Sequence, residues 1–345
     1  MIFVNALILR AIGDVVYATA DDPDILEDGD AVIRTRVTAI CGSDLHLYHG
    51  RVVGVNAPIA LGHEYVGIVE AVGPAVKRIQ VGDRVTGAFA TACGRCASCL
   101  RGLSSQCQAG QLFGFGQLPG TQAERVRIPY ADSTLIKVPP GVSDAQGLLV
   151  GDNLSTAYFA CEGGDIRPND TVAVVGLGPV GLLALNLAWV FGAARVIAID
   201  TVPTRLQVAE KLGAVPVMAN ERTVGRVRNL TGGHGADVVV EAVGLETSLN
   251  LALEIARGFA TVSAVGAFTE KRLPVAMRRV FARNLTLKGG LANVLSVAPR
   301  VMDLLENGRL DLSWLFSHHL PLRDGPRGYQ LFSRRDALKV LLYPH

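Results

Sequence analysis

The stretch that most restricts the fold is VAVVGLGPVGLLALNLAWVFGAARVIAID, residues 172–200. By hydropathy alone it would pass for a membrane span, but Gly176, Gly178, Pro179 and Gly181 argue against one continuous helix, and no basic flank marks a cytoplasmic end. A buried strand, a glycine turn, a buried helix and a second strand ending at Asp200 explain the run instead. In that setting the pattern Gly176-x-Gly178-x-x-Gly181 has a physical use. Gly176 permits a tight turn, Gly178 lets the backbone approach a pyrophosphate, and Gly181 allows close packing of helix on strand. The free N–H groups of the helix start face the anion, so Pro179 and Val180 are expected beside it. Asp200, about 20 residues beyond the loop, is placed to accept hydrogen bonds from ribose hydroxyls and to repel a 2′-phosphate, which favours NAD over NADP. Arg205, five residues further on, is expected either beside that ribose or on the surface of the next helix.

The flanking sequence has two textures. Residues 1–150 carry short β-rich runs, among them AVIRTRVTAI and EYVGIVEAVG, broken by Gly, Pro and Asp turns, which predicts a compact β domain. From about 170 to 290 apolar runs alternate with helix-length segments, which predicts a parallel sheet covered on both faces. The C-terminal stretch reads as a helix, SVAPRVMDLLENG, followed by strands that return to the first domain. The N-terminal MIFVNALILR has neither a basic region nor a cleavage site after it and reads as a first strand rather than a signal peptide, so the cytoplasm is the expected location.

With 33 basic and 31 acidic residues, a net charge of +2 and no basic block, an electrostatic case for nucleic acid or an anionic membrane is weak. Small-molecule chemistry is the better expectation. Four of the six cysteines form Cys93-x2-Cys96-x2-Cys99-x7-Cys107, the ligand count of a closed tetrahedral zinc site. A disulfide pair or an iron–sulfur cluster would use the same residues, but a reducing compartment disfavours the first and the small loop fits zinc better than the second. Zinc there would fold a lobe with few apolar residues of its own.

The segments CGSDLH (41–46), GHEYVGIVEAVGPAV (62–76), the four-cysteine loop, GDNLSTAY (151–158) and VGLGPVG (175–181) occur in the order and spacing of the zinc-dependent medium-chain alcohol dehydrogenases. The chain resembles that family over essentially its whole length, and is most similar to bacterial NAD-dependent members of broad substrate range. The resemblance implies an α/β protein with a GroES-like β-rich catalytic domain (1–150 and 295–345, with the zinc lobe 93–107) and a doubly wound Rossmann domain (151–294). It further implies two zinc ions per subunit, with Cys41, His63 and Asp152 holding the catalytic one; many relatives carry cysteine where this chain has Asp152, and Cys161 is the rival.

Glu64 is then a neighbouring or transient fourth ligand, or else a buried carboxylate bound to an arginine. Asp44 orients His63, while Ser43 and His46 relay the alcohol proton by way of the cofactor ribose. Thr156, Val265 and Gly266 are further cofactor contacts, with core packing as their alternative. His49, His318 and His319 read as loop residues without a role. The implied reaction is reversible hydride transfer between a primary or secondary alcohol and NAD, yielding an aldehyde or ketone, in a homotetramer. A polyol, threonine or formaldehyde dehydrogenase of the same family is the alternative.

Overall fold

The structure, a computed structural model, describes residues 3–52, 54–116 and 118–344. It separates into two compact units, Met1–Ser155 with Asn293–His345, and Thr156–Ala292. Asp152 and Asn153 therefore fall with the first unit, to which their side chains are hydrogen-bonded.

The first unit opens with β1 (Phe3–Ala11), β2 (Asp14–Asp21), β3 (Ala31–Ile40), β4 (Ile59–Ala60), β5 (Tyr65–Val72), β6 (Arg84–Gly87), β7 (Arg125–Ile128) and β8 (Leu135–Lys137). The expected first strand is β1, with Met1 and Ile2 outside the described residues. It pairs with β2 and β4 in a small antiparallel sheet. Strand β3 is buried along nearly its whole length, which its β-branched sequence suits, and it carries β5 on one side. Ile33, Tyr65, Val85, Phe113 and Ile128 close the core beneath it, the four wholly apolar side chains among them each contributing about 1.5–3 kcal/mol by leaving water.

The second unit contains β9 (Thr171–Val175), β10 (Arg195–Asp200), β11 (Val215–Met218), β12 (Ala236–Glu241), β13 (Ala256–Ala264) and β14 (Thr286–Gly289). All pairings are parallel and the order is β11-β10-β9-β12-β13-β14, the doubly wound arrangement whose order reverses between β9 and β12. The apolar run that mimics a membrane span is β9, the 12-residue helix Pro179–Val190 and β10. Among the described residues no helix is long and apolar enough to cross a membrane.

After the helix Val294–Glu306 come β15 (Phe316–Pro321) and β16 (Lys339–Tyr343). They complete a seven-stranded sheet of the first unit, β15-β16-β3-β5-β6-β8 with β7 also on β3. His318 and His319 thus lie in a strand rather than a loop, His319 stacking on Tyr343 and bonding its hydroxyl at 3.0 Å. The antiparallel register sets Val340 opposite Ile40 and Thr38 opposite Tyr65. Three chain segments, just after β3, just before β5 and at the start of β16, are thereby delivered to one place.

Candidate active site

At that place Cys41 leaves β3, His63 and Glu64 enter β5, and Asp152 precedes the helix Asn153–Gly164. Donor atoms of Cys41, His63 and Asp152 lie within 4.8 Å of one another. The Asp152 Oδ2 is 3.3 Å from the Cys41 Sγ and 3.3 Å from the His63 Nε2. Bond lengths of zinc to sulfur, nitrogen and oxygen at tetrahedral angles require edges of about 3.3–3.6 Å between such donors, so the set fits zinc. Three protein donors leave a fourth position open, which is the pattern of a catalytic rather than a structural site.

The surroundings hold each donor in place. Asp44, fully buried at the start of the short helix Asp44–Tyr48, sets its Oδ1 3.2 Å from the His63 Nδ1, which turns Nε2 toward the other donors. Its Oδ2 accepts the backbone N–H of Cys41 at 2.9 Å and the Gln122 amide at 3.3 Å. Burial disfavours a charged His63, but Asp44 and the bonds to Asp152 outweigh it and raise the imidazole well above its ordinary value. Burial pushes the Cys41 thiol up, with the charges of Asp152 and Glu64 adding to it. A divalent cation replaces the protons that both groups would otherwise keep.

The Ser43 Oγ lies 3.2 Å from the His63 Nε2. His46 is half-buried on the same short helix, where burial and the charges of Arg51 and His49 lower its pKa. His49 is exposed and bonds the Ser333 hydroxyl at 3.1 Å. Glu64 is fully buried and paired with Lys339 where the sequence offered an arginine. Cys161 is fully buried in the second unit, donating to the Ala184 carbonyl at 3.4 Å, and burial pushes its thiol up. Asp152, not Cys161, stands with Cys41 and His63.

Lys339 and Asn153 escaped sequence reasoning. The ammonium of Lys339, with no exposed surface, donates to the Glu64 Oε2 and to the Asn153 Oδ1 at 2.7 Å. Asn153 in turn donates to the Asp152 Oδ2 at 2.9 Å and to the Cys41 Sγ at 3.5 Å. The available signal was a single lysine heading an otherwise apolar strand, KVLLY.

Cys93, Cys96, Cys99 and Cys107 bring their sulfurs within 4.8 Å of one another, with Cys96 and Cys107 4.0 Å apart. Tetrahedral zinc thiolates need edges of about 3.8 Å, so this loop fits a closed four-sulfur site. Backbone N–H groups of Cys99 and Gln108 lower the Cys96 thiol to about 6, while burial and the neighbouring thiols push Cys99 up to about 12.

In the second unit the glycine loop lies at the carboxyl end of β9. Gly176 has φ +90°, and a Cβ on Gly181 would fall 1.8 Å from the Gly176 carbonyl oxygen. A Cβ on Gly178 would meet nothing within 4 Å, so there is open space beside the backbone where this residue caps the helix that begins with the buried Pro179 and half-buried Val180. That geometry suits a pyrophosphate. Asp200 ends β10 and accepts the N–H of Leu177 at 2.6 Å and of Val202 at 2.8 Å, so it pins the loop. Arg205 places a guanidinium nitrogen 3.7 Å from the Asp200 carboxylate. Val265 and Gly266 follow β13 and donate their N–H groups to the Glu241 carbonyl at 2.8 and 3.1 Å. Thr156 is half-buried in the first turn of the helix Asn153–Gly164.

Comparison with known proteins bears on both units. Residues 27–140 match the family model for the alcohol dehydrogenase GroES-like domain, and residues 179–307 match that for zinc-binding dehydrogenase. The chain is 38% identical over 328 residues to zinc-type alcohol dehydrogenase B of Aspergillus flavus, covering 92% of this chain and 76% of that one. Among solved structures it is similar to the alcohol dehydrogenase TADH from Thermus sp. ATN1, with a TM-score of 0.93 and 44% identity over 98% of this chain and 99% of the other. A zinc-binding dehydrogenase from Sinorhizobium meliloti, solved bound to NADP, matches with a TM-score of 0.87 and 26% identity over 100% of both chains.

Proposed function

The chain belongs to the zinc-binding alcohol dehydrogenase family, and from that premise we propose that it transfers hydride reversibly between a primary or secondary alcohol and NAD, giving an aldehyde or ketone. The observation that carries this reading is the buried trio Cys41, His63 and Asp152 with the Ser43 hydroxyl against it, in a chain that also has a glycine loop with open space at Gly178.

Zinc held by Cys41, His63 and Asp152 would supply a Lewis acid that brings the pKa of an oxygen-borne proton toward neutrality, and a second zinc in the four-cysteine loop would have a structural role. NAD, when bound, supplies the hydride acceptor. The protein's part is orientation and proton movement. Asp44 fixes the ring of His63, and Ser43 accepts the substrate's hydroxyl proton at Oγ while giving up its own. His46, kept neutral by burial and by Arg51 and His49, takes that proton at a ring nitrogen. Gly176, Gly178 and Gly181 shape the pyrophosphate cradle, and Pro179, Val180, Thr156, Arg205, Val265 and Gly266 line the cofactor. The buried Asp200 carboxylate supports NAD, because a 2′-phosphate would meet its charge. A homotetramer in the cytoplasm completes the proposal.

The test is NADH formation at 340 nm with ethanol, 1-butanol, 2-butanol, cyclohexanol and benzyl alcohol, with metal content measured on the same preparations. Activity on several of these, lost in Asp152→Ala together with one zinc, is expected; Cys161→Ala retains both metals. A zinc-loaded parent that reduces NAD with none of them would sink the reading.

A further inference from the structure

We propose that Asn153 and Lys339 are positioning residues that govern how firmly the Cys41, His63 and Asp152 site keeps its metal. The inference rests on the metal reading above and deepens it.

The case starts from Lys339, which has no exposed surface. Its ammonium lies against the equally buried Glu64 carboxylate and donates to Oε2. A buried ion pair generally stabilises no better than apolar packing of the same volume, so the pair invites a role other than stability. The geometry supplies one. The ammonium also donates to the Asn153 Oδ1 at 2.7 Å. An amide has an accepting end and a donating end, and a flipped Asn153 would set its NH2 group against the ammonium. One orientation is left, and in it the NH2 group faces the metal donors, 2.9 Å from the Asp152 Oδ2 and 3.5 Å from the Cys41 Sγ.

That oxygen of Asp152 is the one that lies 3.3 Å from both the Cys41 sulfur and the His63 Nε2. Lys339 therefore sets the polarity of Asn153, and Asn153 holds Oδ2 toward the other two donors while offering a hydrogen to the sulfur. Lys339 also donates to the Oε2 of Glu64. Neither residue touches substrate; both act through the donors.

The experiment measures zinc transfer from the fully loaded chain to a colorimetric chelator. The four-cysteine loop, in the same unit, is the internal reference. Partners of this kind are typically worth about 10–100-fold in metal affinity. Asn153→Leu and Lys339→Met are expected to release one zinc about 10–100-fold faster than the parent while the second leaves at the parent rate. Lys339→Arg, which can still donate to both Glu64 and Asn153, restores slow release. Parent-like release of both zincs in Asn153→Leu and Lys339→Met overturns the inference. Acceleration of both zincs overturns it too, since the residues would then be supporting the unit as a whole. A parent that holds a single zinc overturns the metal reading itself, a result distinct from two zincs whose release the variants leave unchanged.

Discussion

Gly178 and Gly181 belong to one loop, yet the structure gives them different tasks, and alanine separates the two. At Gly178 the backbone has φ −66° and ψ −177°, which any residue adopts, and a Cβ meets nothing within 4 Å. Alanine is a poorer helix cap than glycine, but it also reduces the freedom of the unfolded chain by about 0.4–1 kcal/mol. The two effects nearly cancel, so Gly178→Ala should melt within roughly 2 °C of the parent. Its methyl group occupies the space in which a pyrophosphate would approach the helix N–H groups. Loss of one charge-assisted hydrogen bond, about 1.5–3 kcal/mol, weakens NADH binding about 10–100-fold. Gly181→Ala meets the Gly176 carbonyl oxygen at 1.8 Å, where ordinary contact begins near 3.4 Å. Overpacking of that kind costs about 1–3 kcal/mol, or roughly 2–4 °C for each kcal/mol. Thermal melting and NADH fluorescence titration on both variants check the pair. Unchanged NADH affinity in Gly178→Ala would refute the assignment of that open face to the cofactor.

With zinc stripped, iodoacetamide should modify Cys96 first, its rate rising through a pH of about 6 and levelling above, because backbone N–H groups favour its thiolate. Cys161, buried and with its thiol pushed up, should stay unlabelled until the chain unfolds; mass spectrometry showing equal labelling of the four loop cysteines would count against this. His46 is lowered from its usual 6.5 by burial, Arg51 and His49, so it stays a neutral base down to pH values below 6.5. The acid limb of kcat/KM for alcohol oxidation should therefore fall below pH 6.5, and His46→Gln should lower the rate and remove that limb. Asp200→Asn, which retains an acceptor for the N–H of Leu177, should raise kcat/KM with NADP about tenfold at the expense of NAD; cofactor kinetics that leave the ratio unchanged would remove Asp200 from ribose selection.

What the sequence disclosed was what lies close along the chain. The glycine loop and the four cysteines are each complete within a short segment, so spacing alone conveys their chemistry. The trio Cys41, His63 and Asp152 spans over a hundred residues, and family resemblance was needed to choose Asp152 over Cys161. Lys339 and Asn153 stayed hidden because their partners are brought together only by the pairing of β16 with β3, across 275 residues to Glu64 and 186 between the two of them. Nothing local distinguishes an asparagine that orients donors from one that caps a helix. His318 and His319 illustrate the opposite difficulty, since a polar pair in an edge strand looks like a loop until the register with β16 is known.

The first unit is assembled from both ends of the chain, with the second unit inserted between Ser155 and Asn293. During synthesis the four-cysteine loop is complete once Cys107 has emerged, long before the rest. The Cys41 centre waits for β16, whose first residue is Lys339 and whose second pairs with Ile40 beside Cys41. A ribosome-bound or truncated chain can thus carry a closed cysteine lobe while its other metal pocket is still open to water on the side where β16 will lie. The order of emergence thus sets when each candidate metal site can close, the cysteine lobe early and the Cys41 site only once β16 has emerged.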